Sequence, residues 1–248
     1  MSDLFSSIQL GNTQLANRII MAPLTRARAS DGHMPNQMMA TYYQQRASAG
    51  LIITEATMIT AGNSAFVNEP GIYNQEQISA WKKVTEAVHA KNGKIYLQIW
   101  HGGRATHSVL NDGQQPVGPS AIAIDDVIHT PQGKMPYEVP RALRTDEMPG
   151  IVDAFRQAAR NAILAGFDGV EVHGANGYLI DQFLRSSANI RSDKYGGSIE
   201  NRTRFLLDVV DAVSDEIGSA KVGLRLSPLN SFNSMQDEDT RGLLAFVS

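Results

Sequence analysis

The segment His173-Gly174-Ala175-Asn176-Gly177-Tyr178 places three side chains of different hydrogen-bonding character in one short stretch. It follows the apolar run Gly169–Val172, so it sits where a buried strand ends. His173 and Asn176 can both donate to one oxygen. Such a pair polarises a carbonyl and stabilises the negative charge that develops on it. Tyr178 can donate a proton despite a solution pKa of about 10, provided the acceptor is a strongly basic, enolate-like carbon. The glycines between them permit a tight turn and close approach of a ligand. A His and a Tyr alone would read as side chains satisfying a loop. The spacing and the preceding strand favour a site.

Three further segments carry weaker signals. In Gln98-Ile99-Trp100-His101-Gly102-Gly103-Arg104, an amide near a strand end can meet a lactam edge, such as a flavin pyrimidine, with donor and acceptor together. Core packing explains Gln98 and Trp100 equally well. In Asn17–Arg26, a strand that ends in Ala22-Pro23 lets a flat ligand reach the backbone, and Thr25 offers a hydroxyl. In Gly223–Pro228, Arg225 stands inside an apolar strand, which is costly unless the guanidinium is paired. It is either half of a buried ion pair or a partner for an electron-rich ligand. Met34, Met38, Met39, Tyr42 and Tyr43 read as core filling.

The elements that must hold these residues alternate. Apolar runs at Arg18–Leu24, Leu51–Thr54, Lys94–Trp100, Gly169–His173 and Val222–Ser227 read as buried parallel strands. Between them lie helical stripes. Ile78, Trp81, Val84 and Val88 form one, with Gly93 as a stop. Ile151 to Ile163 form another, ended by Gly166, and Phe205 to Ile217 a third, ended by Gly218. Met38–Ala47 is a fainter helix. This alternation gives a parallel sheet with right-handed crossovers. No G-x-G-x-x-G follows any strand, and the polar residues Thr25, His101, His173 and Ser227 come just after strands. The pattern therefore predicts a (β/α)8 barrel, as a single domain over residues 1–248, rather than a doubly wound sheet. Only the first five βα units have strands to fill them. Ser6–Asn17 predicts a hairpin plugging the barrel floor. The long connection His101–Arg144 after strand 3 predicts a lid. Leu243–Val247 could begin a helix with nothing to pack on.

Composition narrows the partners. With 42% hydrophobic residues and a net charge of −3, the chain can fill a core and offers no general attraction to nucleic acid or an anionic membrane. It has no cysteine, which removes disulfides, thiolate nucleophiles and iron–sulfur ligation. No apolar run approaches the roughly 18 residues of a membrane helix. Met1–Gly11 shows no secretory pattern, so a cytoplasmic protein is expected. There is no H-x-H pair, and His101, His107, His129 and His173 lack a consistent carboxylate partner, which weighs against a metal-dependent hydrolase on a barrel.

Together these segments resemble the old yellow enzyme family of FMN oxidoreductases. So do Tyr43-x-Gln45-Arg46-Ala47, Leu51–Ala56, Gly118-Pro119-Ser120-Ala121, Pro140–Leu143 and Tyr195–Arg202. The likeness runs from about Leu4 to Asp237 and is greatest to the bacterial N-ethylmaleimide and pentaerythritol tetranitrate reductase group, with threonine at position 25. The resemblance implies an FMN-dependent ene reductase using NADPH or NADH. Its partners would be small electrophilic alkenes or nitro compounds. Pro23, Leu24, Thr25 and Ala56 would line the flavin ring, and Gln98 and Arg225 would bind its pyrimidine end. His173 and Asn176 would bind the substrate oxygen. Tyr178 would protonate the α-carbon, and Trp100 and Phe66 would shape the substrate pocket. Phe66 stands where some relatives carry tyrosine. The resemblance also implies that the family's last three strands, with their phosphate-binding loops, are missing. The alternative expectation is therefore a non-catalytic fragment that binds flavin weakly or not at all.

Overall fold

The computed structural model describes residues 3–247. Met1, Ser2 and Ser248 lie outside it, so the expectations for the N-terminal segment and the tail are followed from Asp3 and to Val247. In chain order the strands and α-helices are β1 (Ile8–Leu10), β2 (Thr13–Leu15), β3 (Ile20–Met21), α1 (Gln37–Gln44), β4 (Leu51–Met58), α2 (Gln75–His89) and β5 (Ile95–Trp100). They continue with β6 (Val117–Gly118), β7 (Val127–Thr130), β8 (Gly133–Pro136), β9 (Arg141–Ala142), α3 (Met148–Leu164), β10 (Gly169–Gly174), α4 (Leu179–Leu184), α5 (Ile199–Ile217), β11 (Val222–Leu226) and α6 (Thr240–Val247).

Five strands form one parallel sheet in the order β11-β10-β5-β4-β3. Spatial order follows chain order, with no reversal, as in a barrel wall and unlike a doubly wound sheet. The sheet curls into a half-barrel with the predicted five βα units. β3 and β11 are its edges, and Ile19, Ile20 and Leu224 are exposed there.

Strand periodicity divides the sheet into two faces. Ile95, Leu97 and Ile99 of β5 and Val170 and Val172 of β10 pack outward against the helices. The buried stripes of α2 (Ile78, Trp81, Val84, Val88), α3 (Phe155, Ala158, Ala159, Ala162) and α5 (Phe205, Leu206, Val209, Val213) complete this core. The large side chains each contribute on the order of 1.5–3 kcal/mol by burial. Asn74 caps α2 by accepting from Gln77 N at 2.8 Å, and Ser198 caps α5.

The other face holds Tyr96, Gln98 and Trp100 of β5, Glu171 and His173 of β10, and Arg225 of β11. The β1–β2 hairpin closes its lower end, as expected. Leu15 packs with Leu51 and Tyr96, and Thr13 Oγ1 lies 3.2 Å from the Tyr96 hydroxyl.

Several expectations need correction. The first strand pairs only over Ile20–Met21, because Ala22–Ala29 carries no ladder and Ala27 turns to a left-handed backbone with φ 51°. Asn92, not Gly93, carries the left-handed backbone after α2, with φ 58°. Gly93 is needed for space, since a Cβ there would stand 2.8 Å from Ala47 and Val88. Met38 is exposed, whereas Met39 and Tyr43 are core. The last helix does find a partner: α6 inserts Leu243 into the core beside α5.

Candidate active site

β4 shows how backbone irregularity places a side chain. Ile53 pairs with Tyr96, but Ala56 rather than Glu55 pairs with Gln98, so the strand carries a bulge with one extra residue. The bulge puts the small Ala56 on the inner face and leaves Glu55 to accept hydrogen bonds from the Tyr43 hydroxyl at 2.9 Å and Arg26 N at 3.1 Å. The inner face beside Gln98 is therefore flat at this point.

Gln98 is buried and its Nε2 donates to Glu171 Oε1 at 2.7 Å. That bond fixes the amide, leaving its oxygen and second N–H to face outward from the pair. Burial raises the Glu171 pKa, against the pull of Gln98 and of Arg225. Arg225 is half-buried and takes part in no salt bridge among the described residues. Of the two readings open for it, a partner for an electron-rich ligand fits better than an ion pair. Two residues earlier, Gly223 leaves nothing within 3.7 Å of where a Cβ would sit, so the floor there is open.

His173 is opposite Arg225 in the strand register. Burial first, then the Arg225 charge, lowers its pKa to about 3, so the imidazole is neutral. Its Nδ1 accepts from Ala175 N at 3.3 Å, which leaves Nε2 as the N–H donor. Asn176 has φ 57°, and its Oδ1 accepts from Asn230 Nδ2 at 2.8 Å, so its own Nδ2 is the group left to donate. Each of the two side chains therefore keeps an N–H to donate.

Tyr178 is buried, and its ring meets Trp100 edge-on with centroids 4.3 Å apart and His173 at 5.0 Å. Burial, then Tyr137 and Glu69, raises its pKa further above the ordinary phenol value. The Trp100 Nε1 is buried without a partner among the described residues. The turn that carries Tyr178 is held from below. Gly177 N donates to Asp181 at 2.9 Å and Asn176 N to Ser227 Oγ at 2.7 Å. At Gly177, φ is 74° and a Cβ would collide with Asn233.

A cavity of about 490 Å³ opens beside the Tyr178 ring, lined also by Phe66, Tyr137 and Phe232 together with the β7–β8 hairpin, while Trp100, His173 and Asn176 do not line it. The hairpin lies within the connection His101–Arg144 expected to form a lid, and Phe66 is at the pocket wall with its ring 6.0 Å from Trp100. Pro23, Leu24 and Thr25 follow β3, at the edge of the sheet opposite Arg225. Leu24 is exposed and Thr25 half-buried. No helix among the described residues is long and apolar enough to cross a membrane, and no group of three or more His, Asp or Glu could hold a metal. Among the histidines weighed above, one does find a carboxylate: His107 Nδ1 is 3.7 Å from Glu138, while His89 Nε2 also lies 2.9 Å from Asp168.

The sequence reading did not single out Glu171, Glu69 or Tyr137. Glu171 had a signal: it lies two residues before His173 in an apolar strand, hence on the same face.

A curled parallel half-barrel with an amide, a guanidinium, a neutral imidazole and a phenol gathered on its inner face belongs to the barrel class of oxidoreductase. The chain is a member of the NADH:flavin oxidoreductase / NADH oxidase family, whose model matches residues 3–246. It is 53% identical over 246 residues to a probable flavin mononucleotide-dependent alkene reductase of Leishmania infantum, covering 96% of this chain and 67% of that one. It is 48% identical to 12-oxophytodienoate reductase 1 of Oryza sativa subsp. japonica, covering 98% and 63%. A solved structure of morphinone reductase in complex with tetrahydroNAD superposes with a TM-score of 0.96 at 48% identity, covering 100% and 70%. The old yellow enzyme homologue of Zymomonas mobilis gives the same score and identity, with 98% and 68% coverage. The chain thus spans about two thirds of the length of its curated relatives.

Proposed function

We propose that this chain carries the ene-reductase chemistry of its family, reducing alkenes activated by a carbonyl or nitro group. The observation that supports it best is the shared inner face: Gln98, His173 and Arg225 are brought together by strand register, with Tyr178 packed against His173.

FMN suits this face by the chemistry of its donors. Gln98 presents an amide fixed by Glu171, and Arg225 a guanidinium that pairs with no carboxylate among the described residues, on neighbouring parts of a floor kept flat by Ala56 and Gly223. Gln98 and Arg225 would hold the pyrimidine end, and Pro23, Leu24, Thr25 and Ala56 would line the ring. FMN, reduced by NADPH or NADH, would supply a hydride from N5.

The protein's own groups do the rest. The neutral His173 donates from Nε2 and Asn176 from Nδ2 to the substrate's withdrawing oxygen, stabilising negative charge that develops there. Tyr178 stays protonated and gives its phenolic proton to the α-carbon. Phe66 would bound the pocket from one side, with Trp100 packed behind it.

The test is the visible spectrum of the purified 248-residue protein after FMN is added and then removed by desalting. A flavin band that survives desalting, and bleaches under anaerobic NADPH, is the expected result. A colourless protein overturns the reading for this chain.

A further inference from the structure

The stretch Asn63–Pro70 supplies one wall of the cavity through Ala65, Phe66 and Val67. Both of its ends are tied to neighbouring segments. Ser64 N donates to Asn111 Oδ1 at 2.6 Å, and Asn111 Nδ2 donates to Ser64 O at 2.9 Å. At the far end, Met58 N donates to Pro70 O at 2.9 Å and Ala29 N to Asn68 O at 3.0 Å.

The tip is held from inside. Asn68, with φ 60°, reverses the chain so that the next side chain folds back beneath it. That side chain is Glu69, which is fully buried, with Oε1 accepting from Ala65 N at 2.9 Å. The only other bond within the tip runs from Ser64 Oγ to Phe66 O at 3.0 Å. Glu69 Oε2 has no hydrogen-bond partner among the described residues. A buried carboxyl without a counter-charge is a costly filler, and an apolar side chain would pack at less expense. What this carboxyl adds is a grip on the backbone next to Phe66.

We propose that Glu69 is a positioning residue for substrate specificity: its carboxyl braces Ala65–Val67 from beneath and thereby sets how far the Phe66 ring reaches over the cavity towards Trp100. The inference rests on the reading of that cavity as the alkene site.

The brace responds to pH. Burial, and more weakly the charge of Glu55 on β4, pushes the Glu69 pKa up to about 8, against the pull of Ser64 and the amides of Ala65 and Phe66. Tyr178 is the other titratable group that feels its charge, and His33 Nδ1 lies 2.8 Å from the Glu69 carbonyl oxygen. Below this pH the brace is a neutral acid. Above it, a charged Oε2 draws on the Phe66 amide and the Ser64 hydroxyl, and the tip tightens.

The experiment places 4-fluorophenylalanine at position 66 and follows its fluorine shift with pH in the full chain. The expected result is a titration with a midpoint near 8. It should be absent in Glu69→Gln, which keeps an oxygen for Ala65 N. A flat shift in the wild-type background, or the same titration in Glu69→Gln, overturns the proposal. Glu69→Ala should change the ratio of KM values for a small and a bulky enone by about threefold or more, with kcat within about twofold. An unchanged ratio with kcat lost for both substrates would mean a merely structural role. If the wild type turns over neither enone, the function proposed for the chain fails, while the fluorine titration still decides the brace.

Discussion

Gln98 and Glu171 face each other across β5 and β10, the amide Nε2 donating to the carboxylate Oε1 at 2.7 Å inside the curl of the sheet. An amide has two orientations of nearly equal shape and opposite hydrogen-bonding sense. When ionised, Glu171 can only accept, so it selects the orientation that leaves the Gln98 oxygen free. Glu171→Leu removes that selection, and FMN affinity measured by fluorescence titration should fall about tenfold, the equivalent of ~1.4 kcal/mol. Glu171→Gln keeps an acceptor oxygen and should lose much less. Equal losses would show that charge, not orientation, is what Glu171 supplies.

On the proposed reading, Tyr178 would separate two half-reactions. Its phenol is held neutral by burial, so it would serve as a proton source at every ordinary pH and would have no part in receiving hydride from the nicotinamide. Tyr178→Phe should therefore slow alkene reduction by roughly 10²-fold or more while leaving the rate of flavin reduction almost unchanged. Stopped-flow measurement of the two half-reactions checks this. A matching loss in both would place Tyr178 in cofactor binding instead.

The pH behaviour of His173 has a definite sign. Its folded-state pKa is lowered to about 3, below the ordinary value of 6.5. Between these values the unfolded chain binds more protons than the folded one, so this group's contribution to stability rises with pH through that window and is lost in acid. Replacing it by Gln should flatten the acid limb of the stability curve by at most about 1.4 kcal/mol per pH unit. In solution, the His173 ring protons should show no titration between about pH 5 and 9. A midpoint near 6.5 would mean that the ring is open to water.

The parallel sheet was legible because Gly169–Val172 and Ile95–Ile99 are apolar runs between amphipathic helices, and each strand's end is marked by a polar residue. Register was not legible. That Gln98 meets Glu171, and His173 meets Arg225, depends on how far each strand slides along its neighbour, which no single strand encodes. The bulge in β4 was hidden for the same reason, since it is a property of the pair and not of Leu51–Met58 alone. Glu69 escaped notice because an acid in a loop ordinarily reads as solvated, and only the left-handed Asn68 turns it inward. Leu243 seemed to have nothing to pack on because α6 follows the last strand, and its contact with α5 is a long-range pairing that neither helix's own pattern encodes.

The turn that presents Tyr178 depends on a buried ion pair, Asp181–Arg185, whose acid lies three residues further on. Asp181 accepts from Arg185 Nε at 3.0 Å and from Gly177 N at 2.9 Å, and Arg185 Nη2 reaches Ser227 O at 2.6 Å. Both side chains are almost wholly buried. Burial raises the Asp181 pKa despite the pull of Arg185. Arg185→Met would strand that carboxylate, at a cost of about 3–5 kcal/mol, and Tm should fall by roughly 6–20 °C. Replacing both partners, with Asp181→Leu and Arg185→Met together, should recover most of the Tm because no lone charge remains. It should not recover turnover. Gly177 N would still lack its acceptor, and the loop bearing Asn176 and Tyr178 would loosen over the inner face. A double variant with both Tm and kcat restored would show that packing alone holds the turn.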